Sequence, residues 1–370
     1  MFRVLVLVNE ISQTSIPLET TVQIATQEEC EITLVTFYGS DGEASSEVDL
    51  PLEVLCLEAN SRIDHTAWRR FFQELRTGRY DVLHTHHNFT GSVARALAST
   101  LDIGVINTEH RQHSSYTPLQ NAINAPTLPL ADKVVCNSRA TQESLRWYER
   151  QLLDDEQLTV VYNGVNFTRL SNIVGSIDEQ DTNPNIVTVG RLVPVKNYET
   201  LLEAFGVVRE HIPEATLSLI GDGPLRAELE TQAATLNLTD AVNFRGSVSR
   251  AEVYQELARA DLFTIPSYAE GFCVAAVEAM GVGLPIVVSD ISVFHEVVGD
   301  PGVFADPNDP AAFAGAITGL LRDPERRKKL GQEAKQRTRS EFSLERTAHE
   351  YYNIYEEVAK TCNEDNGGTI

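Results

Sequence analysis

Lysine is scarce in this chain: Lys133, Lys196, Lys328, Lys329, Lys335 and Lys360 stand against 24 arginines. Positive charge is scarce altogether. The 30 basic and 53 acidic side chains give a formal charge of −23, which excludes binding of nucleic acid or anionic lipid through the net field and leaves only a local patch. The deficit is even, net −11 over residues 1–180 and −12 over residues 181–370, so it describes a hydrated, self-repelling surface rather than an acidic tail. Such a surface fits a high-salt cytoplasm, where the repulsion is screened, or an ordinary acidic protein. Cysteine is sparse too. Cys30, Cys56, Cys136, Cys273 and Cys362 are odd in number, far apart and without a CxxC pair, which argues against a disulfide framework or a structural zinc site and for reduced thiols. Long apolar runs are missing from the start of the chain. MFRVLVLVNE has one positive charge and then five apolar residues, too few for a signal-peptide core or a membrane span and suited to the first buried strand of a cytoplasmic protein.

What is present is a chain of 370 residues, 42% hydrophobic, with 14 Phe and 11 Tyr. That content excludes a disordered acidic chain. At roughly 150 residues per domain it predicts two domains, each able to bury its own core. Short β-branched runs alternate with helical stretches, the pattern of parallel α/β domains. Strands are expected at 4–8, 32–37, 54–57, 82–84, 105–107, 133–136 and 159–162, then at 186–189, 216–220, 242–245, 262–265, 285–289 and 302–304. Between the two sets, RLSNIVGSIDEQDTNPN (169–185) is polar and turn-rich, as a linker should be. The expected division is a first domain over 1–170, completed by a C-terminal helix at about 344–360, a linker over 171–185, a second domain over 186–343 and a flexible tail from 361. Doubly wound sheets place ligands at the carboxyl ends of their strands, and two facing sheets make a cleft.

Three stretches carry chemistry. DLFTIPSYAEGFCVAAVEAMGVGLPIVVSD (261–290) reads as strand, loop, helix and strand. The amides of Gly271, Phe272, Cys273 and Val274, with the positive end of the helix dipole, form a natural phosphate seat. Glu278 lies one turn into a helix of Val, Ala and Met, where a carboxylate is costly without a partner. Ribose hydroxyls are suitable donors; a carboxylate capping its own helix is the alternative. Glu270, in the loop, is placed to take sugar hydroxyls. Two such carboxylates also suggest a glycosidase, although eight residues of helix would span about 12 Å, longer than either usual separation. GRLVPVKN (190–197) follows a strand, and Lys196 is the only lysine between residues 134 and 327. Arg191 and Lys196 together would hold a diphosphate and stabilise it as a leaving group. GDGP (221–224) opens a helix at the same sheet edge, with Gly221 and Gly223 in the turn, but it is not a GxGxxG dinucleotide fingerprint.

Taken together, GRLVPVKN, GDGP, the FRG turn at 244–246 and PSYAEGF with Glu270 and Glu278 separated by seven intervening residues resemble the retaining glycosyltransferases of family 4, the glycosyl transferases group 1, with the GT-B fold. DVLHTHH (81–87), NTEH (107–110), DKVVCNS (132–138), VYNGV (161–165) and PNDPAAFAGAITGLLRDPE (307–325) fall in the family's order. The resemblance implies an α/β protein of two Rossmann-like sheets facing a cleft. It implies transfer of a hexose-type sugar, with retention and without a metal ion or other cofactor, from a UDP- or GDP-sugar to a glycan, lipid-linked or small-molecule hydroxyl, as in cell-surface glycan biosynthesis. Arg191 and Lys196 would hold the donor diphosphate, Glu278 the ribose, Glu270 the donor sugar beside the Gly271 to Val274 amides, and Val248 the base. His110 would contact the sugar near the reacting carbon.

Two positions depart from the family's pattern. Its members usually carry a glycine pair after the first strand, where this chain reads NEISQTSIPLET (9–20) with Ile16 and Pro17, and Cys273 replaces the commoner glycine. Two other readings stay open: a sugar-nucleotide epimerase or hydrolase on the same fold, and a catalytically silent nucleotide-sugar-binding protein. His84, His86 and His87 have the HxH form of a zinc site without a completing ligand nearby, which favours structural or acceptor-side roles. The stretch 62–79 has five arginines (Arg62, Arg69, Arg70, Arg76, Arg79) interleaved with Trp68, Phe71, Phe72 and Leu75. It reads as a helix packing Trp68, Phe72 and Leu75 on the sheet, or as a peripheral contact with the inner face of the cell membrane.

Overall fold

The computed structural model describes residues 1–11, 15–39, 50–175 and 183–367. All thirteen expected strands are present, their ends within two residues of the expected ones. The chain forms two compact units, Met1–Asn163 with Leu344–Ile370, and Gly164–Ser343.

The first unit holds β1 (Phe2–Val8), β2 (Cys30–Thr36), β3 (Glu53–Cys56), β4 (Val82–Thr85), β5 (Gly104–Glu109), β6 (Lys133–Cys136) and β7 (Leu158–Val160). Their order in the sheet is β3-β2-β1-β4-β5-β6-β7, every pair parallel. A parallel sheet with crossover helices on both faces must be apolar on both. β1 meets that demand by alternation: Leu5 and Leu7 join one core with Phe37, Phe71 and Leu83, while Val4, Val6 and Val8 join another with Ile24, Leu34 and Tyr355. The second of these cores is closed by the C-terminal helix Leu344–Gly367, through Ala348, Tyr351, Tyr355 and Val358.

The second unit holds β8 (Asn185–Val189), β9 (Thr216–Ile220), β10 (Val242–Gly246), β11 (Leu262–Ile265), β12 (Ile286–Ser289) and β13 (Gly302–Ala305). The order is β10-β9-β8-β11-β12-β13, again all parallel. One face is packed by the helices Tyr198–His211 and Pro310–Leu321, whose Leu201, Phe205, Val208, Phe313 and Ile317 are buried together. Each such side chain contributes about 1.5–3 kcal/mol by leaving water. In both sheets strand order reverses beside the first strand of the unit, between β1 and β4 and between β8 and β11. Those reversals are the switch points where doubly wound sheets take ligands.

Several boundaries differ from expectation. The units divide between Asn163 and Gly164 rather than at residue 170, because the helix Phe167–Val174 buries Leu170 in the second unit. A Cβ on Gly281 would stand 3.4 Å from Leu170 and from Phe167, ordinary contact distance, so this helix packs directly against the helix Val274–Val282. Of the expected linker, residues 176–182 lie outside the described residues. At the other end, the helix expected to stop near residue 360 continues to Gly367, since no Pro or Gly interrupts it earlier. The arginine-rich stretch forms the helix His65–Thr77, capped by Asp64, and the ring it buries fully is Phe71, with Ala67 and Leu75, rather than Phe72. Trp68 packs 4.5 Å from Phe37, centroid to centroid, while Arg62, Arg69, Arg70, Arg76 and Arg79 are exposed. Its apolar face is thus committed to the core. None of the five cysteines is in a disulfide. Among the described residues no helix is long and apolar enough to cross a membrane.

Candidate active site at the switch point of the second sheet

β8 and β11 pair through Ile186 with Leu262 and Val187 with Phe263, so the loops that leave them emerge side by side. The β8 loop runs through Gly190 and Arg191 to a tight turn, Pro194–Lys196, and enters the next helix by way of Asn197, a left-handed residue at φ +55°. Asn197 fastens both loops. Its Nδ2 donates to the carbonyls of Pro266 at 3.1 Å and Pro307 at 2.7 Å, its Oδ1 accepts from Thr200 Oγ1 at 2.9 Å, and the Tyr268 amide donates to Val195 O at 2.9 Å. On this frame Lys196 Nζ meets Glu270 Oε1 at 2.5 Å, and the buried Ser267 hydroxyl donates to the same oxygen at 2.7 Å. Burial opposes the charge on Lys196, but the Glu270 carboxylate outweighs it and raises the ammonium above its usual range. Glu270 uses one of the three donors of that ammonium. Arg191, five residues earlier, is exposed, and no ion pair involves it among the described residues.

Gly221 and Gly223 lie behind this loop. A Cβ on Gly221 would come within 2.1 Å of Gly190 O, and one on Gly223 within 2.4 Å of Leu192 O. The two turns are joined by Gly190 N to Ile220 O and Leu192 N to Asp222 O, both 2.9 Å. Glycine is required there to let one backbone support the other, whatever the ligand.

The helix Val274–Val282 starts at Cys273, which sits at φ +65°. That left-handed conformation is unfavourable for a residue with a Cβ and accounts for the commoner glycine. Burial raises the Cys273 thiol to about 12, keeping it neutral. Phe272 turns its ring inward, edge-on to Phe342 at 5.4 Å. Glu278, one turn on, is buried and has protein partners: Arg250 Nη1 at 3.2 Å and Tyr254 OH at 3.2 Å. Desolvation raises its pKa and Arg250 offsets part of the rise. Arg250 and Tyr254 belong to the helix Arg250–Arg259, capped reciprocally by Ser249 and Glu252. Val248, half-buried, lies in the turn before that cap, two residues ahead of Arg250.

His110 belongs to the first unit, just after β5. Its Nε2 lies 3.1 Å from His86 Nδ1, and its carbonyl accepts from Asn137 Nδ2 at 3.1 Å. The preceding Glu109 is locked in a buried network, accepting from Asn107 and Asn124 at 2.9 Å and Tyr116 at 2.8 Å, with His113 at 3.5 Å. His113 also meets Glu149 at 2.9 Å. The fully buried Arg95 donates to Asn107, Asn124 and Thr127. His84 is committed to Tyr355 OH at 2.7 Å and Thr108 Oγ1 at 2.8 Å. Thus Lys196 and Glu270 are brought into contact, with Gly221, Gly223 and Arg191 on the same loop assembly. Sequence reasoning missed Asn197, Ser267, Arg250, Tyr254 and the Glu109 network. Only Ser267 had a signal, its capping-box-like spacing to Glu270.

The chain matches the family models of glycosyl transferases group 1 over residues 172–337 and glycosyltransferase family 4 over residues 21–169. It is 28% identical over 293 residues to a glycogen synthase of Mycobacterium tuberculosis, an alignment covering 76% of this chain and 69% of that protein. In fold it is similar to a sucrose-phosphate synthase from Thermosynechococcus elongatus (TM-score 0.81, 20% identity, 98% of this chain and 100% of the other). It is likewise similar to Anabaena Alr3699/HepE in complex with UDP and glucose (TM-score 0.80, 19% identity, 96% and 100%). With two doubly wound parallel sheets, a cation and carboxylate at the switch point of the second, and family matches over both halves, the chain belongs to the family 4, group 1 glycosyltransferases of the GT-B fold.

Proposed function

We propose that this protein is a retaining hexosyltransferase that moves a sugar from a UDP- or GDP-sugar to an acceptor hydroxyl without a metal ion. The observation that carries the reading is the Lys196–Glu270 contact at the β8/β11 switch point. A diphosphate seated there meets the Lys196 ammonium, the exposed Arg191 and the positive end of the helix Val274–Val282. Those charges oppose the negative charge that grows on the leaving phosphate oxygen, the interaction that lowers the barrier most in such reactions. Glu270 takes sugar hydroxyls, Glu278 the ribose, and Val248 flanks the base. The bond from the anomeric carbon to the phosphate oxygen breaks while the acceptor oxygen bonds from the same face, and the acceptor proton passes to the departing diphosphate. The Anabaena neighbour solved with UDP and glucose supports a uridine donor as the first to try. The acceptor is a glycan, a lipid-linked sugar or a small molecule, reached from the cytoplasmic side.

The test is a donor screen that reads released nucleoside diphosphate with and without acceptor, in the wild type and in Lys196→Ala. Release that depends on acceptor and falls about a hundredfold in the variant is expected. Donor conversion without acceptor would replace the reading with a hydrolase or epimerase, and nucleotide-sugar binding by calorimetry without turnover of any donor would replace it with a catalytically silent binding protein.

A further inference from the structure

The carboxyl ends of β4 and β5 bring an unusual set of imidazoles together. His84 stands on β4, His86 and His87 follow it, and His110 follows β5. The rings of His84 and His86 are 4.0 Å apart and those of His86 and His110 are stacked at 5.4 Å. His84 spends both nitrogens on Tyr355 and Thr108, so it has none to offer His86. His86 is 8% exposed. Its Nδ1 faces His110 Nε2 at 3.1 Å, and its Nε2 is buried with no hydrogen-bond partner among the described residues. The backbone around His110 is clamped separately, by Asn137 on the carbonyls of Glu109 and His110.

Burial holds both rings neutral at pH 7: His110 is pushed down to about 4, with His87 and Arg111 adding repulsion that Glu109 partly offsets, and His86 lies well below the usual range beside His84, His110 and His87. Two neutral imidazoles meeting nitrogen to nitrogen share one proton, and the two arrangements are not equivalent. If His110 donates from Nε2, then His86 carries its own proton on the buried Nε2 and strands an N–H donor. If His86 donates from Nδ1, the buried Nε2 is an unpaired acceptor instead. Stranded buried N–H groups are the rarer and costlier of the two.

We propose that His86 is a positioning residue that holds His110 as its Nδ1–H tautomer, so that the free edge of the His110 ring offers a hydrogen-bond donor. That a donor-sugar hydroxyl accepts this bond rests on the transferase reading above; the tautomer does not. The geometry selects against the Nε2–H form, the one a free imidazole side chain favours.

The experiment is long-range 1H–15N NMR of histidine-labelled protein at pH 7, with the His110 signals assigned by their loss in His110→Gln. The expected wild-type pattern is a pyrrole-type Nδ1 and a pyridine-type Nε2 at His110. In His86→Ala the His110 pattern should move toward Nε2–H, and His86→Asn, whose carboxamide can donate to Nε2, should restore it. A pyrrole-type Nε2 in the wild type overturns the proposal by itself, as does an unchanged His110 pattern in folded His86→Ala. With an active donor in hand, kcat should fall about tenfold in His86→Ala with KM within threefold, and recover in part in His86→Asn. If no donor turns over, the transferase reading fails while the tautomer result stands.

Discussion

Lys196 and Glu270 lie 74 residues apart in sequence and 2.5 Å apart in space, joined because β8 and β11 are neighbours in the sheet. Their side chains are 17% and 10% exposed, so the pair is too buried to be screened as a surface bridge is. Lys196→Ala should therefore cost about 1–3 kcal/mol of stability, and adding Glu270→Gln should recover part of it by removing the stranded carboxylate. Urea unfolding of the single and double variants measures both. Equal, additive losses would mean that the contact has no coupling energy.

Glu278 provides a pH test. Its pKa in the folded protein is raised by desolvation, with Arg250 offsetting part of the rise, so the folded state binds a proton more readily than the unfolded chain. Stability linked to this group is present at low pH and is lost as pH rises through the folded pKa. Arg250→Ala removes the offsetting charge and should destabilise the protein by about 3 kcal/mol at pH 8 and by distinctly less at pH 5. Glu278→Gln should flatten that dependence. A penalty independent of pH would place the cost of Arg250→Ala in lost packing.

The pair of Glu109 and His113 has the opposite limbs. Burial penalises the Glu109 charge, yet His113 and the Asn124 amide lower it to about 2; burial likewise penalises His113, yet Glu109 and Glu149 raise it to about 9. The Glu109 contribution holds above the ordinary carboxylate range and fades as pH falls toward 2. That of His113 holds below about 6.5 and is lost as pH rises through 9. His113→Gln should lower stability at pH 6 and abolish the alkaline decline between pH 7 and 9, followed by thermal melts. Because Glu109 precedes His110, the variant should also reduce transfer.

Cys273 carries a Cβ at φ +65°. Cys273→Gly relieves a strain of about 1–2 kcal/mol and adds less than that in chain entropy, so a net gain of about 0.5 kcal/mol is expected, with transfer retained. Cys273→Val, β-branched, should lose at least about 1 kcal/mol. A midpoint that falls in the glycine variant would show that the thiol packs well enough to outweigh its backbone.

The thirteen strands and the placing of GRLVPVKN and PSYAEGF at strand ends were legible because each depends on local periodicity and on residues close in sequence. Boundaries were less so: whether Phe167–Val174 belongs to the first or second unit turns on Leu170 meeting Gly281. In the helix His65–Thr77, the residue adjoining the expected one is buried, Phe71 for Phe72, because the twist of the sheet beneath decides which edge of the helix faces it.

By itself the sequence determined the class of fold, the family, and which charged residue types stand at the strand ends of the second sheet. Tertiary structure alone decided the partners: that Lys196 is held by Glu270, that Glu278 answers to Arg250 and Tyr254, that Gly221 and Gly223 serve the backbone of a neighbouring loop, and that His86 faces His110. The reason is physical. Periodicity and turn chemistry act over a few residues, whereas the charge state and hydrogen bonds of a buried group are set by whichever strand the sheet order brings alongside, and that order is a property of the whole packed unit.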